Sequence, residues 1–174
     1  MVTRGWREGK LGEIINFKNG RTSPIRDDVY SKYPVFGSNG IIGYSEKFNS
    51  IKGNSIIGRV GSYCGATYLT MTDSWVTDNA IIAESKTPSN IFSYILLKNQ
   101  NLNNYRVGSG QPLINQTILS TIDVVIPTDT ILQKFQNIAI NLFEVIHQNG
   151  EQIATLTRLR DTLLPKLLRG EIVV

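Results

Sequence analysis

In "GRVGSYCG", residues 58–65, Arg59 stands with Ser62 and Tyr63 among Gly58, Gly61 and Gly65. Glycines let the backbone approach another surface closely and hold the intervening side chains outward. A guanidinium presented in this way can fork onto guanine or onto a phosphate. The same residues also make an ordinary glycine-rich hairpin with a solvated arginine, so this stretch by itself leaves both readings open. The combination recurs. Ser38, Asn39 and Tyr44 surround a turn in "GSNGIIGY", Lys18, Asn19, Arg21 and Thr22 lie in "FKNGRTS", and Tyr105, Arg106, Ser109 and Gln111 lie in "YRVGSGQP". All three sets suit contact with DNA, although roughly half of such polar residues ordinarily stabilise their own loops. Gln111 can read adenine or tie down backbone, and the structural use is favoured.

Asn79 can contact bases, and Lys10, Lys18, Arg26, Lys47 and Lys52 can supply phosphate contacts, which position a protein without specifying sequence. Trp75, between Asp73 and Asp78, suits a core anchor better than a wedge between bases. A second chemistry is carried by "IIAESK", whose apolar-Glu-x-Lys shape resembles a nuclease core with Asp73 or Asp78 as a metal partner. An amphipathic edge strand explains the same letters. Cys64 and His147 are the single cysteine and the single histidine, so neither an internal disulfide nor a soft-ligand zinc site is expected. No strand runs into a glycine-rich G-x-G-x-x-G loop, and no "NPPY" or "DPPY" tetrad is present to hold an adenine. No cofactor is therefore expected in this chain.

The elements that must position these residues fall into two parts. Residues 1–127 are dense in Gly, Asn, Ser and Tyr and break into short apolar runs: "GEIINFKNG", "YPVFGSNGIIGYSEKF", "GNSIIGRVGSYCGATYLT", "NAIIAES" and "STIDVVIP". These predict strands. One helix interrupts them, with Pro88 in its first turn after Thr87 and an end in "KNQNLNN". The expected fold is a mixed, strand-rich α+β domain. The same residues hold 13 Lys and Arg against 9 Asp and Glu, while residues 128–174 hold 5 of each, so a polyanion should meet the first part. No apolar run approaches the ~20 residues of a membrane span, and "MVTRGWREGK" lacks a secretory signal's apolar stretch, which leads to the expectation of a cytoplasmic protein.

Residues 128–174 change to a helical period. Thr128 or Thr130 offers an N-cap, with Gln133 placed to close a capping box on Thr130. Ile131, Phe135, Ile138, Leu142 and Val145 step by 4, 3, 4 and 3, and the frame continues through Asn149 to Leu156, Leu159 and Leu163. That is a heptad seam. Leu132, Ala139, Ile146 and Ile153 widen the apolar face. A helix over 130–164 would be about 50 Å long, more than one small domain can cover, so the seam predicts pairing with helices of another chain. Asn149 can fix register in such a pair, and Pro165 should end or bend the helix. The alternative is a hairpin hinged at Asn149–Gly150 that folds back on the domain.

The order "GWREGKLGEIINFKNG", "IIGRVGSYCGA", "YRVGSGQPLINQTILSTIDVVIP" and "LRDTLLPKLLRGEI" resembles the specificity subunit of type I restriction-modification systems, over essentially the whole chain. Full-length members hold two repeats, each a target recognition domain followed by a spacer helix, and this sequence matches one. The resemblance implies a half-sized subunit, or one repeat of a longer chain, that reads a few base pairs of double-stranded DNA with residues 1–127. It implies that residues 128–174 form the spacer and dimerisation helix, which pairs two copies and docks methyltransferase subunits, and through them restriction subunits. S-adenosylmethionine would belong to that methyltransferase. Two rivals are a small metal-dependent nuclease using Glu84, and a regulatory module that competes for the methyltransferase without touching specific DNA.

Overall fold

A computed structural model describes residues 5–22, 32–108, 110 and 112–171. Arg26, Ser109 and Gln111, named above, lie outside the described residues. Along the chain run β1 (Trp6–Lys10), α1 (Leu11–Ile14), β2 (Ile15–Asn19), β3 (Tyr33–Gly37), β4 (Gly40–Ser45), β5 (Ser55–Gly58), β6 (Thr67–Leu69), β7 (Trp75–Val76) and β8 (Ala80–Ser85). There follow α2 (Asn90–Asn99), α3 (Gln116–Thr121), β9 (Asp123–Pro127) and α4 (Asp129–Leu168). This is the mixed, strand-rich α+β region followed by a long helix that the sequence implied.

The strands β5 and β8 are the middle members of an antiparallel sheet in the order β2-β8-β5-β6. Their cores, "SIIG" and "AIIA", are continuous apolar runs because both faces are covered. Successive side chains leave a strand on opposite faces. Thus Ile57, Ile81 and Ala83 enter one core with Leu11, Ile14, Leu97 and Leu119, while Ile56, Ala80 and Ile82 enter another with Phe36 and Val76. Helices close the first core, and the sheet β4-β3-β7 closes the second. A separate ribbon pairs β1 with β9, setting Trp6 against Pro127 beside the start of α4.

Several elements differ from expectation. "LGEI" in the first apolar run forms the single turn α1, in which the N–H of Lys10 donates to Glu13 Oε1 at 2.7 Å. That bond, with Arg7 second, holds the Glu13 carboxyl below its usual range. Helix α3 takes the "ST" of "STIDVVIP" out of the strand, capped by Asn115 Oδ1, which accepts from the Ile118 N–H at 2.9 Å. More than one helix therefore interrupts the strands. Ser89 caps α2, its Oγ accepting from the Phe92 N–H at 3.1 Å, so Pro88 precedes the cap instead of lying in the first turn. Thr87 Oγ1 accepts from the N–H of Ser89 at 3.3 Å.

Helix α4 is continuous over 40 residues, about 60 Å at ~1.5 Å each. It passes through Asn149 and Gly150 without a hinge, which removes the hairpin alternative, and it includes Pro165. The stop comes later, in a Schellman arrangement: Gly170 adopts φ 71°, its N–H donates to Leu167 O, and the Glu171 N–H donates to Lys166 O. At the other end the N–H groups of Ile131 and Leu132 donate to Thr128 O, so Thr130 lies within the first turn. Gln133 bonds Asn137 at 3.3 Å instead of closing a capping box.

The chain divides into two compact units, Met1–Asn137 and Ile138–Val174. Within the first unit Leu132 is buried, Phe135 meets Phe92 edge-on at 6.5 Å, and Gln136 Oε1 accepts from Ser89 Oγ at 2.8 Å. In the second unit the seam residues Leu142, Val145, Leu156 and Leu159 are each more than half exposed, at 61%, 53%, 64% and 52%.

Candidate nucleic-acid interface

The antiparallel order of the four-stranded sheet places the C-terminal ends of β2 and β5 beside the N-terminal ends of β8 and β6. Three connections therefore emerge at one end of the sheet, after β2, between β5 and β6, and before β8. Asn19, opposite Ile81, leads into Arg21, whose N–H donates to Val76 O at 3.0 Å and which bridges Thr77. Arg59 follows β5, its N–H donating to Asn79 O at 2.9 Å and its Nη1 to Asp78 O at 3.2 Å. Ser62 and Tyr63 lie exposed on a 3-10 turn, Gly61–Tyr63, that bonds back to β5 through the Gly65 N–H and Gly58 O. The hairpin turn of β3 and β4 brings Ser38 and Asn39 to the same end, with Ser38 Oγ donating to Asn79 O at 2.6 Å.

Two glycines make this convergence possible. A Cβ on Gly58 would stand 2.3 Å from Tyr63 O and 2.7 Å from Ser38 O, and one on Gly20 would stand 2.1 Å from Thr77 O. The Val107–Leu113 bridge joins the cluster through a second bridge from Leu113 to Val60 and through the Ile114 N–H on Arg59 O. It carries exposed Tyr105 and Arg106 with it, the Arg106 Nε donating to Asn103 O at 2.8 Å. Asn19, Arg21, Ser38, Asn39, Arg59, Ser62, Tyr63, Tyr105 and Arg106 thus gather around one end of the sheet. Asn79, named above as able to contact bases, stands at its centre with Asp78, in the short turn "TDNA" before an apolar strand.

Lys18 and Tyr44 are not brought there, nor is Lys10, which pairs with Asp123 across the β1–β9 ribbon. Lys18 pairs with Glu84 at 2.7 Å, a carboxylate that also accepts from Asn16 at 3.0 Å, so much of its charge is answered within the protein. Tyr44 lies opposite Pro34, toward the far end of the β3–β4 hairpin. The nuclease reading gains nothing from the geometry. Glu84 has Lys18 and Asn16 as partners, Asp73 accepts from the Lys52 N–H, and among the described residues no group of His, Cys, Asp and Glu is arranged to hold a metal ion. Cys64 is fully buried, its thiol donating to Arg59 O at 3.3 Å and pushed up in pKa by that burial, which is unsuited to nucleophilic work. Trp75 is partly buried in β7 with its indole N–H enclosed, as an anchor would be.

Residues 3–157 match the type I restriction modification DNA specificity domain. The chain is 29% identical over 154 residues to the EcoprrI specificity subunit of Escherichia coli, covering 79% of this chain and 38% of that protein. It is 32% identical over 99 residues to the HindI specificity subunit of Haemophilus influenzae, covering 54% and 21%. The fold resembles that of the type-I restriction-modification S subunit from M. genitalium, with TM-score 0.72, 21% identity, and coverage of 93% of this chain and 45% of that one. It also resembles the HsdS subunit from Thermoanaerobacter tengcongensis, with TM-score 0.57, 16% identity, and coverage of 99% and 47%. The chain thus spans less than half the length of these relatives. With the match running over most of its own length, it belongs to the family of type I restriction-modification DNA specificity domains.

Proposed function

We propose that this chain is the DNA sequence-recognition component of a type I restriction-modification complex. The observation that carries the reading is the convergence, at one sheet end, of separate turns bearing Asn19, Arg21, Asn39, Arg59, Ser62 and Tyr63 in a chain of this family. Arginines there can fork onto guanine or phosphate, and the amides can pair with adenine edges. The excess of positive charge in residues 1–127 favours the approach to DNA.

The exposed face of α4 supplies the second half of the proposal. A stripe containing Ile138, Leu142, Val145, Leu156 and Leu159 is covered when two chains pair through it, which joins two identical readers. Two-fold symmetry then demands an interrupted palindrome, with half-sites about one turn, ~34 Å, apart. The remaining helix surface docks methyltransferase subunits and, through them, restriction subunits. This chain makes and breaks no bonds, and S-adenosylmethionine and the flipped adenine belong to the methyltransferase. Such a complex works on cytoplasmic DNA; among the described residues no helix is long and apolar enough to cross a membrane.

Methylome sequencing of cells that express this chain with its methyltransferase tests the proposal. An interrupted palindromic motif is the expected result. An asymmetric motif overturns the two-fold pairing, and no motif, together with helix-mediated binding of methyltransferase, favours a regulatory module instead.

A further inference from the structure

Asn79, named above as able to contact bases, shares the turn at the centre of the sheet end with Asp78, which was read only as a metal partner. The Ala80 N–H donates to Thr77 O at 3.0 Å, which puts Asp78 and Asn79 at the two central positions. Arg59 and Ser38, 19 and 41 residues away, grip the carbonyls of the turn: Arg59 Nη1 on Asp78 O at 3.2 Å and Ser38 Oγ on Asn79 O at 2.6 Å. The Arg59 N–H adds a second bond to Asn79 O at 2.9 Å. Arg59 Nε is buried with no hydrogen-bond partner among the described residues. Asx residues in turns ordinarily bond their own backbone, yet the Asp78 and Asn79 side chains are exposed and make no hydrogen bond among the described residues. A turn held this firmly, whose polar side chains do nothing for the loop, is built to present them.

We propose that Asp78 and Asn79 are specificity-determining side chains of the DNA-reading surface, and that Ser38 is a positioning residue that holds them instead of reading a base. This rests on the DNA-reading function proposed above. A carboxylate is repelled by phosphates and is welcome only against an exocyclic amine, cytosine N4 or adenine N6, whereas an amide pairs bidentately with adenine N6 and N7. Neighbouring positions on one turn address neighbouring base pairs.

The full-length chain is used to select from DNA duplexes randomised over the target, alongside Asp78→Asn and Asn79→Asp, exchanges that keep turn-forming residues in place. Each variant is expected to lose or change its preference about tenfold at one or two adjacent base pairs, with the remaining motif and the thermal midpoint unchanged. Ser38→Ala should weaken preference at those same base pairs, and Ser38→Thr should restore it. Variants that select the same motif at the same strength would overturn the inference while leaving DNA reading intact. A Ser38→Ala variant that weakens all positions equally would remove the positioning role. If the unaltered chain enriches no motif, the DNA-reading function itself fails, and the inference with it.

Discussion

At Gly20 a methyl group would stand 2.1 Å from Thr77 O and 2.5 Å from Val76 O, backbone atoms that cannot swing aside. The sheet end depends on that close approach, since Arg21 bonds Val76 in the next step. Gly20→Ala is therefore expected to lower stability by about 1–3 kcal/mol in denaturant titration, and an unchanged midpoint would show that the strands are not so tightly apposed. Cys64 provides a second local check. Its enclosure and raised pKa leave less thiolate at any given pH than an ordinary thiol has, so alkylation of the folded chain should be slow and should accelerate only when denaturant opens it. Fast labelling of the native chain would contradict the packing around β5. The residues that could serve DNA were legible because Arg, Asn and Tyr beside glycine mark presented side chains. What the sequence hid was the division of labour among them. Ser38 bonds a backbone carbonyl 41 residues away, and every residue type offers a carbonyl, so no letter in "TDNA" marks it as that partner. Lys18 likewise read as a DNA contact because Glu84, its partner, is brought near only by strand pairing.

Among the elements, legibility followed the strength of the period. Helix α4 carries a heptad frame over most of its 40 residues, and β5 and β8 are unbroken apolar runs. By contrast, α1 and α3 have 4 and 6 residues, too few for a helical period to stand out, and their caps use Lys10 with Glu13 and Asn115, letters equally at home in turns. Strand β1 is largely exposed and lacks apolar alternation. Ser89 shows how one residue can join two elements, since it caps α2 and also donates to Gln136 of α4. Ser89→Ala removes both bonds and should cost about 1–2 kcal/mol in thermal or chemical unfolding, against a few tenths for an exposed serine. Gly150 gives the opposite expectation. It lies inside α4 with open space where a Cβ would be, so Gly150→Ala should raise stability by up to about 1 kcal/mol and increase helicity in circular dichroism. A loss of helicity or of association would mean that the chain bends there in solution.

For the whole molecule, the decisive fact is that a helix about 60 Å long carries Ile138, Leu142, Val145, Ile146, Ile153, Leu156 and Leu159 all at least half exposed. An isolated helix is marginal in water, and its stability in proteins comes chiefly from covering such a face. On the function proposed above, pairing two chains would cover it and would also join two readers for a two-part target. Asn149, in the same frame, would oppose its counterpart and select one register. Leu142→Asp and Leu156→Asp distinguish this from a helix that needs no cover. In a single chain both positions face solvent, so a carboxylate there leaves the globular unit folded and its near-ultraviolet spectrum unchanged. In a pair the same carboxylate is buried without a partner, on the order of 3 kcal/mol for each copy. Sedimentation over a range of concentrations should then show the unaltered chain at twice its mass and both variants near the mass of one chain. Leu132→Ala serves as the contrast, because Leu132 is buried within the globular unit and its truncation should destabilise that unit. Identical sedimentation of the unaltered chain and both aspartate variants would mean that the stripe is not the surface through which two readers are joined, and a palindromic target would then have no structural basis.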